Sequence, residues 1–266
     1  MMLPVRFLAD IWRHRQVVRI LARREFRSRY TVLTFGVFWI FAQPLAMVLI
    51  FWLVFSAGLR LGGSQQAGFL PHFISGLVPW LMFSEVLLAG TNGIRGNLQL
   101  IKLVPFPSEV LPLVYILAAS MGHGIMLLIV VAVLAFGGVQ PGLSLLLLPA
   151  YFLGLCILLL GLCWITSALN VFHRDIGQSV GIVVNLWFWL TPVVWDRHMF
   201  APDLARLLAL NPMTYIVEGY RAALLGAGSA AGGAQETAIF VAFAAVLFAL
   251  GAVVFARLKF EFADSY

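Results

Sequence analysis

Charged residues are scarce in this sequence. They make up 11% of its 266 residues, whereas hydrophobic residues make up 62%. A soluble domain typically carries about 25% charged residues. Because a chain with this deficit cannot cover its apolar surface with water-solvated groups, the composition excludes an ordinary soluble protein. It predicts a single all-α, polytopic membrane domain.

Cysteines and lysines are rarer still. The two cysteines, Cys156 and Cys163, lie in one apolar run and indicate neither a disulfide framework nor a metal site. The two lysines, Lys102 and Lys259, follow no glycine-rich loop, so the P-loop motif for ATP is absent. The five histidines are scattered. We therefore expect no catalytic residue, metal or cofactor in this chain.

Long apolar runs are what the sequence does contain. A helix needs about 20 apolar residues to cross a bilayer, and backbone groups in hydrocarbon must bond internally. Six membrane spans are predicted, at about 34–59, 69–88, 110–136, 143–168, 179–195 and 237–256. We expect an interfacial segment at 1–33, a transmembrane domain at 34–256 and a tail at 257–266.

The basic residues predict the orientation. Thirteen of the 17 arginines and lysines lie in residues 1–33, in the loops after spans 2 and 4, or in the tail. Since positive charge favours the cytoplasmic side, both termini are predicted to be cytoplasmic. The segment 11–30 is amphipathic at helical pitch and is predicted to lie in the headgroup region. It serves as a simple anchor or also contacts anionic headgroups or a partner protein.

The outward segment 196–236 is too apolar for a solvated loop and too broken for a span. Asn211-Pro212 divides it, because proline ends a helix and restricts the residue before it. Two short re-entrant or interfacial helices are predicted between spans 5 and 6. Glu218 and Arg221, three residues apart, are expected to pair.

A few side chains inside the spans have two interpretations. Glu85 is an intramembrane carboxyl, which is either functional or paired with a neighbouring helix. His123 is expected to be packed and hydrogen-bonded. Aromatic residues in spans 1 and 5 form interfacial belts and helix contacts, or line a path for sugar rings. The candidates for such a path are Phe38, Trp39, Trp187 and Trp189.

Four stretches together resemble the permease subunits of type-2 ABC exporters, in the branch that exports lipid-linked polysaccharides such as O-antigen. They are residues 23–55, containing "RREFRSRYTVLTFGVFW", residues 76–116, containing "GLVPWLMFSEVLLAG", residues 169–195, "LNVFHRDIGQSVGIVVNLWFWLTPVVW", and residues 210–226, "LNPMTYIVEGYRAALLG". The chain departs from the family pattern at Thr34-Phe35-Gly36, where members usually have Ser-x-Leu-Gly.

The resemblance implies a homodimer in the bacterial inner membrane with a channel between its protomers. It implies two copies of a separate cytoplasmic ATPase subunit that binds ATP and Mg²⁺, and a substrate linked to undecaprenyl pyrophosphate; no nucleic acid is expected. A capsule or teichoic-acid exporter and a drug or lipid exporter are alternatives within the class. A membrane-embedded glycan-processing enzyme and a proton-driven transporter are alternatives outside it.

The resemblance also implies roles for particular residues. The segment Gly93–Pro107 resembles a cytoplasmic gating or coupling element, in which Asn97 to Val104 form about two helical turns that prolines stop. Its candidates are Asn97, Leu100, Lys102, Pro105 and Pro107. Arg23, Arg24, Arg27 and Arg29 are candidates for contact with the pyrophosphate, headgroups or the ATPase. Asn211, Pro212, Tyr215, Glu218 and Arg221 are candidates for a periplasmic gate.

Overall fold

The computed structural model describes residues 13–31, 36–54, 64–98, 107–139, 142–226 and 233–262. Within these ranges the chain is helical and contains no strand. The α-helices are α1 Arg15–Thr31, α2 Trp39–Trp52, α3 Ser64–Gly96, α4 Leu111–Phe136, α5 Leu148–Phe172, α6 Asp175–Leu190, α7 Pro202–Ala209, α8 Pro212–Leu225 and α9 Ala234–Leu258.

Four of the predicted spans are confirmed as helices long and apolar enough to cross a bilayer. They are Phe69–Gly96, Ser108–Phe136, Leu143–Phe172 and Ala234–Glu261. The helices inside predicted spans 1 and 5 are shorter, since α2 has 14 residues and α6 has 16. A bilayer crossing takes about 20 residues, so these two helices do not confirm the six-span count by length.

Prolines and glycines define several helix ends. Pro112 and Pro149 occupy the first turns of α4 and α5, where a missing backbone N–H costs nothing. The side chain of Asn211 caps α8 by accepting from the backbone N–H of Met213 at 3.0 Å. Gly226 ends the same helix with a left-handed φ of 73°, which glycine adopts without steric cost. The sequence prediction of two short helices divided at Asn211-Pro212 is thereby confirmed.

Helix α3 lies at the centre of the packing and contacts α4, α5, α6 and α8. Its core side chains are fully buried, among them Phe73, Leu77 and Phe83. Helices α5 and α9 form another close pair, because Gly161 and Gly251 face each other. A Cβ on Gly161 would lie 2.8 Å from the carbonyl oxygen of Leu247, so only small residues allow this approach.

Two ends of the helical bundle are distinguished by the elements they hold. At the end called here the α1 end, α1 packs on the beginning of α4 through a small core of Val18, Ala22, Val110 and Val114. At the opposite end, called the α8 end, α8 packs against α3, α5 and α9, and α7 lies beside it. Most of the polar contacts described below lie toward one of these two ends.

Candidate functional site

At the α8 end, Asn211 connects two segments that lie far apart in sequence. Its Oδ1 accepts from the Trp187 indole N–H at 2.8 Å, in addition to capping α8. Its Nδ2 donates to the carbonyl of Leu190 at 3.1 Å and to the Thr191 hydroxyl at 3.0 Å. The amide therefore uses both donors and both acceptor positions, and it ties the end of α6 to the start of α8.

Arg221 stabilises irregular backbone beside the same junction. Its guanidinium donates to the carbonyls of Pro192 at 2.7 Å, Val193 at 3.3 Å and His72 at 3.2 Å. Gly76 makes room, since a Cβ there would lie 2.9 Å from Arg221 Nη2. Burial lowers the pKa of Arg221 to about 10, so the group stays charged at neutral pH. Three carbonyls are thus satisfied by one cation.

Glu218 pairs with Arg197 and not, as expected from sequence, with Arg221. Arg197 Nε lies 3.2 Å from Glu218 Oε1, and its Nη1 lies 2.9 Å from Glu236 Oε1. The reason is geometric, because the Arg221 guanidinium is already held by backbone carbonyls. Burial raises the pKa of the Glu218 carboxyl, and the nearby Arg197 and Arg221 oppose that rise.

Other contacts of α8 fasten it to two helices, α9 and α4. Tyr215 stacks on Phe240 of α9, with ring centroids 4.6 Å apart, and its hydroxyl lies 3.2 Å from that of Thr237. Tyr220 Oη lies 3.0 Å from His123 Nε2 on α4. The prediction that His123 is packed and hydrogen-bonded is confirmed. Pro212 is buried at the first turn of the helix.

The four candidate aromatic residues have different surroundings. Trp187 is half-buried, bonds to Asn211 and packs edge-on against Phe83 at 5.1 Å. Phe38, Trp39 and Trp189 are exposed, with Trp189 60% exposed. Trp187 therefore contributes to the α6–α8 junction, and the other three aromatic side chains are exposed.

The exposed face of α6 carries polar groups among apolar ones. Asn185 lies in the middle turns of this helix and is exposed, as are Gln178 and Ser179 nearer its start. Ile182 and Leu186 are exposed on the same helix. Asn185 was not singled out from the sequence, although an amide within a run that is otherwise apolar is a signal for such a residue.

A buried polar cluster joins α3, α5 and α6 toward the α1 end. Asn170 donates to the carbonyl of Thr91 at 3.0 Å and to Asn92 Oδ1 at 3.1 Å, and it accepts from the backbone N–H of Gly177 at 2.9 Å. The hydroxyls of Thr91 and Thr166 lie 2.8 Å apart. Asn170 and Thr91 are fully buried, so these bonds fix how the three helices cross. None of these residues was predicted from the sequence to form such a cluster.

The candidate coupling segment, Gly93–Pro107, is held by one side-chain contact in its first part and by another just after its end. Asn97 Nδ2 donates to Tyr115 Oη at 3.1 Å, which joins the first part of the segment to α4. After it, Pro107 precedes a short 3₁₀ turn in which Glu109 forms an ion pair with Lys259 at 3.1 Å. Leu100, Lys102 and Pro105 lie outside the described residues.

The remaining candidates are polar groups on α1 and α3. Arg23, Arg24 and Arg27 are exposed on α1, and Arg24 borders a cavity of about 110 Å³ that Asn97 and Tyr115 also line. The side chain of Arg29 is not among those that the structure describes. Glu85 is half-buried on α3. Among the described residues, no three His, Cys, Asp or Glu side chains are grouped so that they hold a metal ion.

Comparison with known proteins assigns the family. The sequence profile of the ABC-2 type transporter family matches residues 16–225, from α1 to the end of α8. The chain belongs to the ABC-2 type transporter family. Both polar ends described above contribute residues to the matched range, and members of the ABC-2 family are transport subunits.

Curated relatives match along most of their length. The O-antigen export system permease protein RfbA of Myxococcus xanthus is 30% identical over 222 residues, 82% of this chain and 84% of the relative. Two proteins of the same name from Klebsiella pneumoniae are 25% and 24% identical over 246 residues, 92% of this chain and 93% of each relative.

Proposed function

We propose that this chain is the channel-forming permease of an ABC exporter that carries a lipid-linked, O-antigen-like polysaccharide across the bacterial inner membrane. The observation that carries the proposal is the near full-length similarity to three O-antigen export permeases. The proposed complex contains two copies of this chain and two copies of a separate ATPase subunit, which binds ATP and Mg²⁺. Both termini of the chain face the cytoplasm, which makes the α1 end cytoplasmic and the α8 end periplasmic.

The polar face of α6 supports a path for sugar. An exposed amide in hydrocarbon is costly, and polar groups at that depth usually face protein or a water-filled cavity. Asn185 is such a group, and the exposed Trp189 lies one turn further along the same helix. We propose that this face, with Phe38 and Trp39 of the first span, lines the glycan path.

The same proposal includes six spans and a re-entrant pair. Helix α6 rises about 24 Å at 1.5 Å per residue and leads into the buried turn that Arg221 holds. Helix α8 packs against His123, halfway along α4, so it lies below the ends of the neighbouring spans. Irregular backbone is tolerated at such depth when its carbonyls are satisfied, as those of Pro192 and Val193 are. In this position Asn211, Pro212, Tyr215, Glu218 and Arg221 border the periplasmic exit.

We propose that the segment between Asn97 and Pro107 receives the motion of the ATPase. Its two anchors, the Asn97–Tyr115 hydrogen bond and the Glu109–Lys259 ion pair, support transmission of a displacement to α4 and α9. Arg23, Arg24, Arg27 and Arg29 lie before the first span, where guanidinium groups suit the pyrophosphate or an acidic surface of the ATPase.

Reconstitution with the ATPase subunit tests the function. A fluorescent undecaprenyl-pyrophosphate glycan is added to the outer leaflet of the vesicles. An impermeant glycosidase is then added outside, and the ATP-dependent fraction of the glycan that is protected from it is measured. We expect protection with wild-type protein and a large loss with Asn185→Leu. An inactive ATPase subunit is the control. Protection without ATP would contradict the proposal, as would equal ATP-dependent protection of a small fluorescent lipid without sugar from an impermeant quencher. A capsule or teichoic-acid polymer in place of the glycan tests the nearest alternatives.

Coupling is tested separately with Leu100→Ala and Lys102→Ala, and with Arg257→Ala as an exposed basic control near the same end. Both substitutions are expected to retain ATP hydrolysis and membrane insertion and to lose translocation, whereas the control retains all three. Translocation at the wild-type rate in Leu100→Ala and Lys102→Ala would rule out this role.

A further inference from the structure

A groove between α1 and α4 has a chemistry that the transport proposal does not use. It encloses about 490 Å³, within the roughly 300–1,000 Å³ typical of small-molecule sites. Its main lining residues are Arg15, Val18 and Arg19 of α1 and Leu113, Leu117 and Met121 of α4.

The floor of the groove is apolar and open. Leu117 is 39% exposed and Met121 is 38% exposed, although Val114 and Ala118 beside them on α4 are buried. Ser120 also lines the groove, but its hydroxyl donates to the carbonyl of Ile116 at 2.7 Å and so is satisfied within its own helix. A chain without polar groups therefore suits this floor.

The α1 wall carries positive charge. Arg15 and Arg19 are four residues apart, so they lie on one face of α1, and none of the residues that line the groove is acidic. Guanidinium groups form charge-assisted hydrogen bonds with phosphate oxygens. An apolar floor with two arginines on one wall matches a phosphate that carries an acyl chain.

The direct contact between α1 and the rest of the bundle is small, so a bound ligand would add to it. Val18, Ala22, Val110 and Val114 form a small core that is separate from the main one. A chain in the groove would extend this apolar contact along α1 towards its first turn. Its headgroup would hold the arginines against the membrane surface.

We propose that this groove binds one acyl chain of an anionic glycerophospholipid, with its phosphate at Arg15 and Arg19, and that the bound lipid holds α1 against α4. The proposal does not depend on the exported substrate.

Photocrosslinking in vesicles without any glycolipid tests it. Benzoylphenylalanine is placed at Leu117, or at Leu128, which is 72% exposed on the same helix and outside the groove. The vesicles contain equal amounts of phosphatidylglycerol and phosphatidylcholine, and the lipid adducts are counted by mass spectrometry. We expect phosphatidylglycerol to be enriched about fivefold or more at position 117, the effect of a single arginine at an anionic surface, and not at position 128.

Substitutions then separate the groove from general charge attraction. Arg19→Gln, alone and with Arg15→Gln, is expected to remove the enrichment at position 117, whereas Arg19→Lys retains part of it. Arg257→Gln removes an exposed positive charge at the α1 end and is expected to change nothing. Adducts at position 128 show that each variant is inserted. The proposal would be overturned by equal lipid ratios at the two positions, by enrichment that persists in the Arg15→Gln, Arg19→Gln double variant, or by adducts only at position 128.

Discussion

Removal of the Asn211 side chain is expected to weaken the α6–α8 junction. Asn211→Ala deletes four hydrogen bonds, to Met213, Trp187, Leu190 and Thr191. Side-chain hydrogen bonds within membrane proteins contribute on average about 0.6 kcal/mol each, which sums to about 2.4 kcal/mol. The Trp187 indole N–H loses its partner, and a donor left unsatisfied costs about 1–3 kcal/mol. With the Trp187 bond counted only once, we therefore expect a loss of about 3–5 kcal/mol in the free energy of unfolding.

Denaturation in mixed micelles with rising SDS, followed by tryptophan fluorescence, measures this loss. Asn185→Ala is the matched control, because it removes the same amide from the exposed face of α6. Exposed positions usually change stability by less than about 0.5 kcal/mol. The control is thus expected to unfold like the wild type while losing translocation. If Asn211→Ala unfolds at the wild-type SDS fraction, the junction is not held by this amide and the reasoning fails.

Two further predictions concern helix packing and pH. Gly251→Val forces a side chain onto the backbone of Gly161, so we expect a loss of about 2–3 kcal/mol in unfolding free energy from overpacking. Gly124→Ala, where a Cβ meets nothing within 4 Å, is the control, and equal unfolding curves for the two variants would contradict the close α5–α9 contact. Because burial raises the pKa of Glu218, the folded state favours its protonated form, and its contribution to stability is lost as pH rises through that pKa. The unfolding free energy is measured from pH 4 upwards for the wild type and for Glu218→Gln. The difference, wild type minus variant, should decrease as pH rises; a difference that stays constant or increases would contradict the raised pKa.

The sequence predicted which segments form helices, because the signals for a helix are local. It did not predict which helices contact each other. The apolar runs of α3, α4, α5 and α9 and the proline after Asn211 act through composition and backbone geometry within a few residues, so the sequence predicted them. Length was less predictable for the helix in predicted span 5. Apolar residues continue past the end of α6 into Thr191–Val194, which the structure folds as a turn and buries.

The candidate site was predictable in part. The sequence singled out Asn211, Arg221 and Trp187, but it did not predict the bond between Trp187 and Asn211, and it expected Arg221 to pair with Glu218. Trp187 and its partner Asn211 are 24 residues apart in the sequence. Arg221 is 149 residues from His72, whose carbonyl it binds. A carbonyl acceptor has no sequence signature, because every residue carries one.

The sequence by itself determined that this is a basic, all-helical membrane protein, since the shortage of charge leaves no other environment for so apolar a chain. It also determined where α8 begins, through the preference of Asn-Pro for a helix start. Only the tertiary structure decided which helices touch and which polar groups hold them. Those choices depend on close approaches such as Gly161 to Gly251 and on bonds such as Asn170 to Thr91, which form between helices that packing brings together.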